Sequence, residues 1–184
     1  MILIVHAHPY PRRSRAGRAL LDAVRDLPRV EVRSLYDLYP DFDIDVAAEQ
    51  AALTRADLVV WLHPLYWYSV PAMLKHWFDV VLASGWAYGE GGNALRGKHC
   101  LWVATTGGQA SSFASTGPHQ LPFHEFEAPI RQTAQFCGMV WEPPLALHGA
   151  QAIGEDEIAA AAITFRQRLA AWSTVSPGEN PETR

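Results

Sequence analysis

Short apolar runs alternate with longer amphipathic stretches along almost the whole of this chain, and that alternation restricts its fold more than any other feature. Residues 2–7 form one such run, broken only by a histidine and followed by a proline-containing loop. Residues 15–27 come next, with Ala16, Ala19, Leu20, Ala23, Val24 and Leu27 at the spacing of one helical face. The pair of signals then recurs: strand-like segments at 30–35, 58–62, 98–105 and 139–147, helix-like segments at 46–55, 72–83, 123–137 and 155–172. Continuous apolar strands joined through helices belong to parallel sheets covered on both faces. Right-handed crossovers at every step predict a doubly wound α/β domain of five strands and five helices, with strand order 2-1-3-4-5. The third strand is expected to stop at His63-Pro64, because proline cannot donate to a ladder and restrains the residue before it. Pro143 and Pro144 are expected to bend the fifth.

A length of 184 residues with 49% hydrophobic content suits one well-buried core and is too short for two ordinary domains. One domain over residues 1–175 is expected, followed by a polar, frayed tail at 176–184. The formal charge of -4 argues against a nucleic-acid binder, which needs a dense array of cations facing phosphates. The first residues lack the basic segment and long apolar stretch of a signal peptide, and no run approaches the roughly 18 apolar residues of a spanning helix. A cytoplasmic location is therefore expected. Cys100 and Cys137 show no Cys-x-x-Cys spacing and are expected to be reduced structural thiols.

In a doubly wound sheet, ligands bind beyond the carboxyl ends of the strands. The loops after the first, third and fourth strands carry the unusual residues. The first, residues 8–17, leaves a strand and enters a helix whose free N–H groups and dipole favour an anion. Ser14 could cap that helix or donate to a phosphate monoester, His8 could donate from the strand end, and Arg12, Arg13 and Arg15 bring positive charge. An ordinary serine-capped helix is the plain alternative. Neither a Gly-x-Gly-x-x-Gly fingerprint nor a P-loop is present. The second loop sets Tyr66, Trp67 and Tyr68 in succession at a strand end, where a planar ring or a partner subunit would cover them. The third, Thr105-Thr106-Gly107-Gly108, lets backbone approach a ligand closely and offers amide donors to a ring edge that gains negative charge on reduction.

Over nearly its full length the chain resembles the FMN-dependent NAD(P)H:quinone reductases of the flavodoxin superfamily. The resemblance is carried by the opening Met-Ile-Leu-Ile-Val-His-Ala-His-Pro-Tyr-Pro, by Ser-Leu-Tyr-Asp-Leu-Tyr-Pro-Asp-Phe-Asp-Ile-Asp, by Gly-Trp-Ala-Tyr-Gly and by Ala-Thr-Thr-Gly-Gly. Within that group it is most similar to the ancillary oxidoreductases of bacterial glutathione-regulated potassium efflux systems, the KefF type. The resemblance implies a flavodoxin-like three-layer sandwich and bound FMN, contacted by His8, by Ser14, Arg15, Ala16 and Gly17, by Leu65, Tyr66, Trp67 and Tyr68, and by Thr105, Thr106, Gly107 and Gly108. It implies NAD(P)H and a quinone as substrates of a two-electron, ping-pong reaction. It implies a homodimer and a potassium efflux transporter as partner, which would place the protein peripherally at the inner membrane. Members of the wider group have a Tyr and a His after the Thr-Thr-Gly-Gly loop that assist hydride transfer; here Phe113 stands at the Tyr position and His119 at the His position. Phe113 cannot donate a hydrogen bond, which sets it apart from the relay role of that position; the resemblance implies that His119 accepts or returns a proton as the quinone becomes a quinol, and a solvated loop histidine is the plain alternative.

Rival readings fit less well. His6, His8 and His63 could meet at neighbouring strand ends, but no carboxylate or His-Glu-x-x-His motif completes a metal site. Asp41, Asp43 and Asp45 alternate without the ligand spacing of a calcium loop. Electron carriers are usually strongly acidic, and this chain is only mildly so. A non-catalytic FMN-binding regulatory subunit of a transporter is the principal alternative.

Overall fold

The computed structural model describes residues 1–174. The tail expected at 176–184 lies outside them. Five parallel strands form one sheet in the order β2-β1-β3-β4-β5: β1 Ile2–His6, β2 Val30–Ser34, β3 Leu58–Pro64, β4 His99–Thr105 and β5 Val140–Leu147. Six α-helices pack on it or join its strands: α1 Arg15–Val24, α2 Leu35–Leu38, α3 Val46–Arg55, α4 Ala72–Val81, α5 Ala128–Phe136 and α6 Glu155–Thr174.

Side-chain alternation divides the interior into two layers. Leu3, Val5, Val59, Trp61, Cys100 and Trp102 point to one face and pack with Leu53 of α3, Met73 and Trp77 of α4 and Ile130 of α5. Ile2, Ile4, Leu58, Val60, Leu62, Leu101 and Val103 point to the other, against Leu20 and Val24 of α1 and Phe165 of α6. Every residue of β1 and β3 is buried, which is why these strands read as unbroken apolar runs. Cys100 and Cys137 are buried, unbridged thiols.

Three local features depart from expectation. First, β3 runs on through Pro64. Leu65 N–H donates to Thr105 O at 2.8 Å, and N–H directions alternate along a strand, so the missing N–H of Pro64 faces away from β4, on the side where β1 has already ended at His6. Second, the expected helix at 123–137 is broken into a 3-10 turn, Phe123–Phe126, and α5, which starts beside Pro129. Proline is tolerated in the first turn because its missing N–H would have no partner there. Third, the loop after β2 contains the single turn α2, pinned by fully buried Leu35. Pro143 and Pro144 stay within β5, at an irregularity where the pairing shifts between Leu101 and Val103.

One carboxylate sits completely inside. Glu49 of α3 accepts from Arg33 Nε at 2.6 Å and Tyr39 Oη at 2.6 Å on one oxygen, and from Trp77 Nε1 at 2.9 Å on the other. The network ties β2, the α2 loop and α4 to α3, and its charge is balanced by Arg33, whose side chain keeps 18% exposure against 0% for Glu49. Removing only the cation would leave an uncompensated buried anion. Arg33→Ala is expected to cost about 3–5 kcal/mol in urea unfolding.

Candidate functional site

Strand register brings the carboxyl ends of the central strands to one edge. His6 pairs with Leu62, Pro64 with Thr105, and Thr105 with Leu147, so the loops that follow rise side by side. Between them lies a cleft of about 340 Å³, lined by His8, Tyr10, Arg13, Ser14, Arg15 and Ala16 after β1, by Pro64, Leu65 and Tyr66 at the end of β3, and by Thr105, Thr106 and Gly107 after β4. Ala150 and Gln151, from the loop between β5 and α6, complete the wall.

The β1 loop forms a 3-10 turn, Pro11–Arg13, and delivers Ser14 as the cap of α1. Ser14 Oγ accepts the Gly17 N–H at 3.1 Å, which leaves its own proton free to donate. Arg15 and Ala16, the first helical residues, have no acceptor within the helix for their N–H groups. Gly17 is required for this approach, since a Cβ there would stand 2.4 Å from Ser14 Oγ. The Tyr10 N–H donates to His8 Nδ1 at 3.0 Å, so neutral His8 carries its proton on Nε2. Burial lowers the His8 pKa and keeps it neutral. Of the three loop arginines, Arg13 and Arg15 reach the cleft and Arg12 does not line it; Arg15 is also paired with Glu155 of α6.

The β4 loop is held from behind. Ala150 N–H donates to Thr106 O at 2.8 Å and Gly149 N–H to Gly108 O at 2.8 Å, so the Gly107 N–H, opposite the Thr106 carbonyl across one peptide plane, points away from the β5 loop. Thr106 Oγ1 donates to Gly108 O at 2.8 Å and accepts from His148 Nδ1 at 3.0 Å. Burial lowers the pKa of His148. Gly149 has φ +66°, and a Cβ there would meet the Gln109 amide at 2.6 Å.

The remaining expected residues lie off the cleft wall. Trp67 and Tyr68 are the central pair of a tight turn closed by two Tyr66–Ser69 backbone bonds of 3.0 Å, and both have positive φ, 48° and 63°. Trp67 is 92% exposed. Gly108 lies beneath His119, whose Nε2 would be 3.0 Å from a Cβ at that glycine. Phe113 is buried and stacks on the His119 ring at 4.5 Å. Sequence reasoning therefore reached the β1, β3 and β4 loops and overlooked the one after β5. The signal was available in Gly149-Ala150-Gln151, because β5 neighbours β4 in the predicted order and its loop must rise beside Thr-Thr-Gly-Gly.

Beneath the site, His6 and His63 act as hydrogen-bond donors and acceptors. His63 Nδ1 donates to Pro64 O at 2.9 Å while Nε2 accepts from Trp102 Nε1 at 2.8 Å; His6 Nδ1 meets Ser34 Oγ at 2.9 Å. Among the described residues, no three His, Cys, Asp or Glu side chains gather as a metal site. In the acidic loop, Asp41 accepts from Asp43 N–H at 3.2 Å and Asp45 caps α3 through Ala48 N–H at 2.9 Å. Burial brings both His6 and His63 down from the ordinary 6.5 to about 4. Since the unfolded chain binds protons that the folded one refuses, stability falls as pH drops from 6.5 towards 4. The slope approaches about 1.4 kcal/mol per pH unit for each histidine. Urea midpoints measured across this window should show that fall, and His63→Gln should make it shallower.

Residues 1–169 match a family described by its flavodoxin-like fold. The chain is 53% identical over 178 residues, 97% of its length and 100% of its relative's, to the glutathione-regulated potassium-efflux system ancillary protein KefF of Salmonella heidelberg strain SL476. Among solved structures it is similar to general stress protein 14 of Treponema denticola, crystallised in complex with FMN, with a TM-score of 0.87 and 36% identity over 92% of this chain and 98% of that one. It is also similar to an NADPH-quinone reductase from P. pentosaceus, with a TM-score of 0.83 and 29% identity over 91% of this chain and 96% of that one. By its sheet order, its strand-end cleft and these likenesses, the chain belongs to the flavodoxin-like family that includes the KefF ancillary proteins.

Proposed function

We propose that this protein binds FMN and catalyses two-electron reduction of quinones by NAD(P)H in a ping-pong cycle, and that it also serves as an ancillary activator of a glutathione-gated potassium efflux transporter. The observation that carries the reading is the convergence of a phosphate-type helix terminus, an aromatic loop and an amide-donating glycine loop on one cleft. These residues fit FMN. The Arg15 and Ala16 N–H groups, the Ser14 hydroxyl and the Arg13 guanidinium suit a phosphate monoester, and Gly17 keeps that cradle open. Leu65 and Tyr66 wall the cleft beside Thr105, Thr106 and Gly107, where the oriented Gly107 N–H suits a polar ring edge. FMN held by these residues would supply two-electron hydride chemistry between the nicotinamide and the quinone.

The protein's share is to orient the ring, to keep His8 and His148 neutral as donors, and to hold His119 above Gly108 for proton transfer to the acceptor. The exposed aromatic turn and Phe136, 63% exposed on α5, support a homodimer in which a second copy covers apolar surface. The likeness to potassium-efflux system ancillary proteins supports the transporter partnership, and with it a cytoplasmic position at the inner face of the membrane. No helix among the described residues is long and apolar enough to cross a membrane. The same likeness favours a second reading, an FMN-binding regulatory subunit without catalysis.

Anaerobic titration of FMN-loaded protein with NADPH, then NADH, separates the two readings. Bleaching of the flavin followed by reoxidation on adding menadione is the expected result; FMN binding without reduction by either nucleotide would favour the regulatory subunit. Ser14→Ala and Gly17→Ala should each raise the FMN Kd about tenfold or more in fluorescence titrations, by removing a donor to a charged group or crowding the cradle.

A further inference from the structure

His119 would need a partner to act as a proton donor, and position 113 provides none, since Phe113 lies flat against the imidazole with rings 27° apart. A hydroxyl arrives from elsewhere. Tyr68 Oη lies 3.3 Å from His119 Nδ1, and the two rings meet edge to face at 5.6 Å. Phe126 stacks against the Tyr68 ring at 5.2 Å and so restrains it. The His119 backbone N–H donates to Ser112 O at 3.2 Å, in a loop that Gly117 allows to close; a Cβ there would meet the Ser111 and Ser112 carbonyls at 2.6 Å.

We propose that Tyr68 is a positioning residue whose O–H donates to His119 Nδ1, holding the imidazole as the Nε2–H tautomer with that nitrogen over Gly108. The backbone agrees with such a role. Tyr68 and Trp67 both occupy the left-handed region, where Gly or Asn would be the easy choices and a bulky side chain is strained. A tyrosine in that strained position puts its hydroxyl on His119 from a loop 51 residues away in sequence.

The inference rests on the quinone reductase reading. The hydride carries both electrons to the quinone and leaves one oxygen anionic. That oxygen takes the Nε2 proton: the N–H bond breaks and the quinol O–H bond forms. Nδ1 receives the Tyr68 proton in the same movement, and Tyr68, 46% exposed, regains one from water. Without the Tyr68 donor, His119 would deliver a proton only after picking one up from solvent, so the step would become dependent on pH.

Two measurements test this. Nitrogen-15 NMR of the apoprotein should show His119 with its proton on Nε2 and with Nδ1 as an acceptor, and Tyr68→Phe should give a mixture of tautomers. A wild-type protein with its proton on Nδ1 overturns the proposal, whatever the enzyme assay gives. In stopped-flow experiments on the FMN-loaded protein, Tyr68→Phe should slow reoxidation by menadione about tenfold or more and make it faster as pH falls. Unchanged reoxidation and pH profile in Tyr68→Phe, with an active wild type, also overturn it. A wild type that neither nucleotide reduces refutes the quinone reductase reading instead, and the tautomer measurement then decides the Tyr68 contact alone.

Discussion

The site depends on one constraint: a parallel sheet buried on both faces sends the carboxyl ends of all its strands to the same edge. With β1, β3 and β4 locked in register by full burial, the chain has little freedom in where the next residues emerge. A shift of one residue in β3 would turn Trp61 and His63 towards the other layer and withdraw Leu65 from Thr105. The cleft is thus a product of core packing. Its geometry is maintained by side chains such as Val60, Leu101 and Trp102, which never touch it.

Burial also sets the electrical character of the site. His6 and His63 lie under it, uncharged, and His8 and His148 at its rim are biased the same way. Positive charge is confined to Arg13 and Arg15, on the side of the α1 terminus. An anion is therefore drawn to one end of the cleft, while the end formed by the Thr-Thr-Gly-Gly loop offers neutral donors. A cofactor with a phosphate at one end and a planar ring at the other matches that gradient, and the bookkeeping of neutral imidazoles explains how four histidines coexist within one small region without mutual repulsion.

Much of this was legible in the residues. Unbroken apolar strands, helical spacing from Ala16 to Val24, and glycines and serines at strand ends led to the sheet order and to three of the four cleft loops. What could not be read has physical causes. A four-residue turn such as α2 is too short to show a period, and its anchor, Leu35, looked like the end of a strand. The break before α5 was marked by Pro129, but proline is equally at home inside a first turn. Pro64 seemed to end β3 because a ladder needs N–H groups, yet whether a given N–H faces a neighbour is decided by where the adjacent strand stops. The Tyr68–His119 contact joins two irregular loops, and loops carry no periodicity from which a pairing could be inferred.

The anchoring of the β4 loop by Gly149 and Ala150, together with the Arg15–Glu155 pair, joins the first helix and the middle of the chain to its last quarter. The cleft therefore has all its walls only after residues up to Glu155 have left the ribosome. A chain terminated before Gly149 can lay down the first strands and the serine-capped helix, but its glycine loop lacks the two backbone bonds that support it.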